Sequence, residues 1–255
     1  MIAPRKHSAV LTLLIISAFL TGACSNPNFS TETTVDGATS IAPSAAAAKQ
    51  EQKTIIRFLN ASEGLKDLYF RDKPAFTKVQ YGRVTSYTAL PSPRPDAHHE
   101  LKLYNSSSEV GTPLSSNAEV GNYGGRYTIL ALNYKGKPRL TVIPDQLKPP
   151  ALGKTKLRLI HAAPGVDKMD IFPSGETNGI FSGQSFPQIT EYKEIAPVTT
   201  ELAVRKRGST TDEVKLKDVE LKAGKLYTII LLGGEGKPLA CKVIEDELVS
   251  ASELP

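Results

Sequence analysis

The stretch RYTILALNYKGKP at 126–138 returns as LYTIILLGGEGKP at 226–238, and three other stretches repeat in the same order. IIRFLNASEG (55–64) answers to LRLIHAAPG (157–165), DLYF (67–70) to DIFP (170–173), and YGRVTSYTALPS (81–92) to FPQITEYKEIAP (186–197). Four ordered matches mark an internal duplication, and a duplicated unit has to bury its apolar residues within itself or against its copy. Each half is expected to close its own core and to fold by itself, because each carries a full set of strand signals and its own central apolar run.

Within each half the signals are those of short strands. Leu101 and Leu103 alternate with Lys102 and Tyr104, and Leu202 and Val204 with Ala203 and Arg205, the period of two of a half-buried strand. YTILAL and YTIILL are apolar on both faces, as in a central strand packed deep in a sandwich. Pro and Gly mark the joints at DKPA after Arg71, PSPRP from Pro91 and GSTTD from Gly208. Tyr127 and Tyr227 open the central strands just after a glycine, the place where a sandwich tyrosine turns its hydroxyl back to the backbone across the turn. The fold class is therefore all-β: two tandem Ig-like or transthyretin-like β-sandwich domains of about seven strands each. The predicted division is repeat 1 at 53–147, a proline-stiffened linker at 148–154, repeat 2 at 155–248 and a tail at 249–255.

The first 52 residues carry an address. Arg5 and Lys6 precede twelve mostly apolar residues from Ala9 to Leu20, too few to span a bilayer of about 30 Å as a helix. The small residues Thr21, Gly22 and Ala23 then lead to Cys24. This resembles a lipoprotein signal, which implies cleavage after residue 23, lipid on Cys24 and a membrane-anchored lipoprotein of the cell envelope, on its periplasmic or cell-surface face. The alternative is an ordinary signal peptidase that leaves Cys24 free. Residues 24–52 are rich in Ser, Thr and Ala and poor in large apolar groups, which predicts a disordered tether. With Cys24 acylated, Cys241 has no partner for an internal disulfide, and its apolar surroundings in PLACKVIED predict a small buried core residue.

The second half carries a family resemblance. LRLIHAAPGVDKMDIFPSG, IFSGQSFPQITEYKEIAP and LKAGKLYTIIL resemble the bacterial DUF4397 domains in their His-Ala-Ser-Pro strand end, Val-Asp-Val-Tyr strand, Phe-Gly-x-Val-Thr-x-Tyr strand and Ala-Gly-x-x-Tyr-Thr turn. The first half is more diverged, with NASEG in place of HAAPG. The resemblance implies exported, tandem β-sandwiches and supplies no site. A weaker likeness, in two-unit layout and in the RFLNAS and GKP phrases, is to the periplasmic adaptor of alginate O-acetylation, which is not a catalyst.

Motifs for chemistry are sparse. There is no nucleophile elbow, phosphate loop or dinucleotide fingerprint, and no spaced His or Cys pair for a metal, so neither catalysis nor a cofactor is expected. His98, His99 and Glu100 are the one His/carboxylate cluster, but neighbours on a strand point to opposite faces. His161 ends a strand at a turn, a structural place. Asp67 and Asp170 occupy equivalent repeat positions, where each is expected to fix its own turn. The net charge of +5 falls to +3 once residues 1–23 are removed, leaving 29 basic and 26 acidic residues, too mild for a nucleic-acid partner. One hairpin gathers cations, Arg205 and Arg207 with Lys215, Lys217, Lys222 and Lys225. That face predicts either an anion-binding surface for an envelope polymer or a solvated edge kept basic against aggregation. The expected role is binding or scaffolding of an envelope polysaccharide or protein, with an adaptor in exopolysaccharide modification or an unrecognised envelope enzyme as alternatives.

Overall fold

Period-two strands dominate, as the sequence requires. The computed structural model describes residues 53–90, 99–106, 111–120 and 125–248. The signal segment 1–23, Cys24, the tether to residue 52, PSPRP at 91–95, His98 and the tail 249–255 lie outside the described residues.

Repeat 1 contains β1 (Ile55–Ala61), β2 (Lys66–Phe70), β3 (Lys73–Val79), β4 (Thr88–Ala89), β5 (His99–Asn105), β6 (Ser115–Val120), β7 (Arg126–Tyr134) and β8 (Lys137–Pro144). Repeat 2 contains β9 (Thr155–His161), β10 (Met169–Pro173), β11 (Phe181–Gln184), β12 (Lys193–Ile195), β13 (Val198–Lys206), β14 (Asp212–Leu221), β15 (Leu226–Gly234) and β16 (Lys237–Asp246). Each repeat thus has eight strands among the described residues rather than about seven, the extra one being the short β4 or β12.

The topology is duplicated strand for strand. One sheet of each repeat has the order β4-β1-β7-β8 or β12-β9-β15-β16, and the other β3-β2-β5-β6 or β11-β10-β13-β14. β1 runs parallel to β7 with Leu59 beside Leu130, and β9 parallel to β15 with Ile160 beside Ile230. Each repeat has its own core between its two sheets, around Phe58, Leu68, Leu103 and Ile129 in the first and Leu159, Ile171, Val204 and Ile229 in the second.

A third core joins them. Leu59, Leu130, Leu132 and Ile143 of repeat 1 pack with Ile160, Ile230 and Leu232 of repeat 2. This accounts for the runs that are apolar on both faces. Along β7, Tyr127, Ile129 and Ala131 point into the sandwich, while Leu130 and Leu132 point out of it into the third core. β15 does the same with Ile229 and Leu231 against Ile230 and Leu232. The layers therefore stack as four sheets, with the β1 and β9 sheets in the middle. The expectation that each half closes its own core holds for two cores and misses the third, which neither half can bury alone.

Local devices fit the sequence reading in part. The Tyr227 hydroxyl accepts the Lys222 N–H across the turn at 3.2 Å. Asp67 on β2 accepts the N–H of Lys78 on β3 at 2.6 Å, and Asp170 on β10 that of Gly183 on β11 at 2.5 Å, so each aspartate clasps an irregular register of the neighbouring strand in its own sandwich rather than a turn. At the β15–β16 turn, Gly234 has φ +77°, and a Cβ there would sit 2.0 Å from the Pro164 carbonyl oxygen, so only glycine lets the turn pack on the end of β9.

Candidate functional site

Arg57 and Arg158 stand at the same position of the two opening strands, in the middle of apolar runs. Period two turns both away from their own cores and toward the seam between the repeats. A buried guanidinium needs a carboxylate and further acceptors, and here each takes the carboxylate from the other repeat. Arg57 Nη2 lies 2.5 Å from Asp246 Oδ1, and Arg158 Nη2 lies 2.5 Å from Asp145 Oδ1. Each Nε donates to a threonine of its own repeat, Arg57 to Thr128 at 2.9 Å and Arg158 to Thr228 at 2.8 Å. Those hydroxyls donate in turn to Asp145 at 2.7 Å and Asp246 at 2.6 Å. The six side chains close a ring: Arg57, Thr128, Asp145, Arg158, Thr228, Asp246 and back to Arg57.

Two tyrosines complete it. Tyr87 donates to Asp145 at 2.9 Å and Tyr192 to Asp246 at 2.7 Å, with the Arg57 and Arg158 guanidiniums 4.8 and 4.7 Å from their ring centres. Burial pulls the pKa of both arginines down, and the surrounding aspartates more than reverse it, so both end above their usual range. Burial, followed by the nearest aspartate, raises the pKa of both tyrosines. The two arginines therefore stay charged and the two tyrosines stay protonated across physiological pH. The charges of the ring bind one another, and its role is to lock the two sandwiches in register.

The seam is not symmetric along its length. Next to the ring, β8 and the segment 186–192 border two recesses, one of about 230 Å³ beside Gln146, Arg158 and Tyr192, and one of about 150 Å³ reaching His161. The smaller takes apolar surface from Leu130, Leu132 and Ile189 and polar groups from Arg139, Thr141 and His161, with Tyr134 at its side. Phe186 stacks on Tyr134 at 6.2 Å, and the Arg139 guanidinium lies 5.6 Å from the Tyr134 ring centre.

In the duplicated position the same features are closed. Tyr81, the counterpart of Phe186, takes the Gly233 N–H on its hydroxyl at 2.8 Å. Lys242, opposite Ile230 as Thr141 is opposite Leu130, donates to the Gly82 carbonyl at 2.9 Å. Asn60, the counterpart of His161, is fully engaged: it donates to the Gly64 and Val79 carbonyls and accepts the Ser62 N–H. His161 is 1% exposed, Nδ1 takes a long 3.4 Å bond from the Ala163 N–H, and Nε2 is buried with no protein partner. Burial lowers the His161 pKa below 6.5 by more than the backbone near Asp167 raises it, so the ring is neutral.

The other sequence candidates fall elsewhere. The hairpin cations lie on β13 and β14, the turn between them and the turn that follows, where four of the six face carboxylates among the described residues. Arg205 meets Asp212 at 2.5 Å, Lys215 meets Asp212 and Glu201, Lys222 meets Glu220, and Lys225 meets Glu245 at 2.6 Å. Arg207 extends over Gly183, and Arg205 lies 4.8 Å from the Phe172 ring centre. Most of the cations of this face are thus paired with carboxylates of their own repeat. Cys241 is buried against the repeat 2 core, and burial pushes its thiol up to about 12, which makes it an inert core residue. Cys24 and His98 lie outside the described residues, and no group of three metal-ligating side chains occurs among the described ones.

The fold and seam define a class: a double β-sandwich protein in which two copies of one unit are locked face to face by exchanged ion pairs. The chain belongs to the DUF4397 family, described as a domain of unknown function, whose pattern matches at residues 54–172 and again at 157–253. Among curated proteins none matches. Among solved structures, the chain is similar to a family 26 carbohydrate-binding module from Eubacterium rectale Amy13K in complex with maltoheptaose, at 12% identity and a TM-score of 0.23 over 76% of this chain and 97% of that one. It is also similar to a putative cell adhesion protein from Bacteroides ovatus ATCC 8483, at 9% identity and a TM-score of 0.22 over 76% and 95% of the two chains.

Proposed function

We propose that this chain is a lipid-anchored protein of the cell envelope that binds or scaffolds rather than catalyses, attached through Cys24 and held off the membrane by residues 25–52. The observation that carries the reading is the seam. Two copies of a sandwich are fixed by a ring of exchanged ion pairs, so the groove between β8 and residues 186–192 has a set shape to present to a partner. The seam's arginines, aspartates and tyrosines are held by one another, which suits a preformed surface. The partner is an envelope polysaccharide or another envelope protein.

Two measurements test this. Cys24→Ser should move the protein from the membrane fraction to a soluble or unprocessed form, because two or more acyl chains at about 0.8 kcal/mol per buried methylene are needed for stable anchoring. Mass spectrometry that finds an unmodified Cys24 at the mature N-terminus would refute the anchor. Crosslinking in intact cells followed by pulldown should recover an envelope polymer or protein. Recovery of a polysaccharide-modifying enzyme would favour an adaptor in exopolysaccharide modification, and turnover of a recovered substrate by the purified chain would refute the non-catalytic reading.

A further inference from the structure

We propose that the recess at His161 is a binding site for a single six-membered ring bearing a carboxylate. This rests on the binding role proposed above and adds to it the place and the ligand chemistry.

The first support is the duplication itself. Both ends of the seam inherit one template, yet one is closed by Tyr81, Lys242 and Asn60, and the other is open because Phe186, Thr141 and His161 stand in their places. Three differences between equivalent positions open the same space, and all three shorten a side chain or free a polar atom. Phe186 lacks the hydroxyl by which Tyr81 ties the facing turn, and Thr141 lacks the chain with which Lys242 reaches Gly82.

The second support is the buried nitrogen. A buried imidazole Nε2 without a partner is desolvated with no hydrogen bond in return, and Asn60 shows that the fold can satisfy this position fully. His161 borders the recess with Nε2 sealed from solvent, so a bound group has to part the side chains over the ring to reach Nε2 and satisfy it.

Size and lining give the ligand class. A protein cavity of about 150 Å³ takes one benzene ring, and this recess is about 150 Å³. Leu130, Leu132 and Ile189 offer apolar contact, and Thr141 offers a hydrogen bond for a ring substituent. Arg139 is the one charged residue in the lining, and its planar fork matches a carboxylate in two-point contact. The ring can be aromatic or a hexuronate, free or at the end of an acidic glycan, and the probes below tell these apart.

The mature chain with Cys24→Ser is titrated with 4-hydroxybenzoate and with glucuronate, each against its neutral counterpart, phenol and glucose. Heat is read by calorimetry, and the His161 ring nitrogens by NMR. We expect one of the two carboxylates to saturate with a Kd at or below about 1 mM, to move the His161 signals, and to bind at least about tenfold tighter than its neutral counterpart. Arg139→Gln should remove that preference. Thr141→Lys, which copies the closed end, should abolish binding with the fold intact by circular dichroism. Arg139 is exposed, so its replacement keeps the test valid if Thr141→Lys fails to fold. No saturable heat and no His161 shift up to about 10 mM of either carboxylate would mean that the recess holds water only. Binding unchanged in Arg139→Gln would equally overturn the assignment. Either result, obtained while crosslinking still recovers an envelope partner, removes this site and leaves the binding role standing.

Discussion

Arg57→Met removes one cation from the ring at nearly constant length. Asp246 is then left with a fully buried carboxylate that keeps its bonds from Thr228 and Tyr192 but loses its counter-charge. Removing one partner of a buried ion pair costs about 3–5 kcal/mol, because the remaining charge stays desolvated. At about 2–4 °C per kcal/mol for a chain of this size, the melting temperature should fall by about 6–20 °C. Arg158→Met should cost nearly the same, since Asp145 has the same set of partners. The double change Arg57→Met with Asp246→Asn should recover part of the loss, because a neutral amide oxygen can still accept from Thr228 and Tyr192 and no unpaired charge is left buried. The chain has no tryptophan, so unfolding in urea is followed by far-ultraviolet circular dichroism and the fluorescence of its tyrosines. Since the ring belongs to both repeats, one cooperative transition should move as a whole. A loss below about 1 kcal/mol, or two transitions of which one moves, would refute the idea that the ring holds the repeats together.

Ile230→Ala in the third core should cost about 2–5 kcal/mol, measured in the same urea titration, despite lying outside both sandwich cores. Residues 53–147 or 155–248 made alone would expose Leu59 and Leu130, or Ile160 and Ile230, together with an arginine and an aspartate that have lost their partners. Each is expected to aggregate or to give poorly dispersed NMR spectra, and mixing the two should restore dispersion. His161 stays neutral in the fold below 6.5, where the unfolded chain takes up a proton, so stability should be full above that pH and decline as pH falls through it. His161→Asn, the residue found at the equivalent position, should flatten that slope in urea titrations at about pH 5.5 to 7.5, about one pH unit either side of the ordinary histidine value. Cys241 should resist thiol reagents in the folded chain and react at the rate of unfolding, because the thiol is buried and protonated.

Much of the architecture is legible in the chain. Tyr227 does what its local surroundings imply, because it acts across its own turn, whereas Asp67 and Asp170 bond an N–H of the neighbouring strand that only strand pairing brings close. In the basic hairpin, Glu201 and Asp212 stand in the same segment as the cations, and only cross-strand register shows that they face Lys215 and Arg205. The ring left a faint trace, an arginine in the middle of an apolar strand at the same place in both repeats, with Thr128 and Asp145 echoed by Thr228 and Asp246. The runs apolar on both faces imply deep burial, and only the packing of one repeat on the other shows that their outer face lies in the third core.

Local pattern determined the strands, the duplication and the turns, since these depend on period two and on a few neighbouring residues. Which aspartate serves which arginine was decided by tertiary structure alone. Arg57 finds its carboxylate 189 residues away in the other repeat, although Asp145 holds the equivalent position in its own. In a sequence the two aspartates are interchangeable; only packing one apolar sheet face on its copy brings the far one within reach of the guanidinium. The open recess has the same origin. Phe186, Thr141 and His161 are distant in the chain, and their shared consequence exists only where the two faces meet.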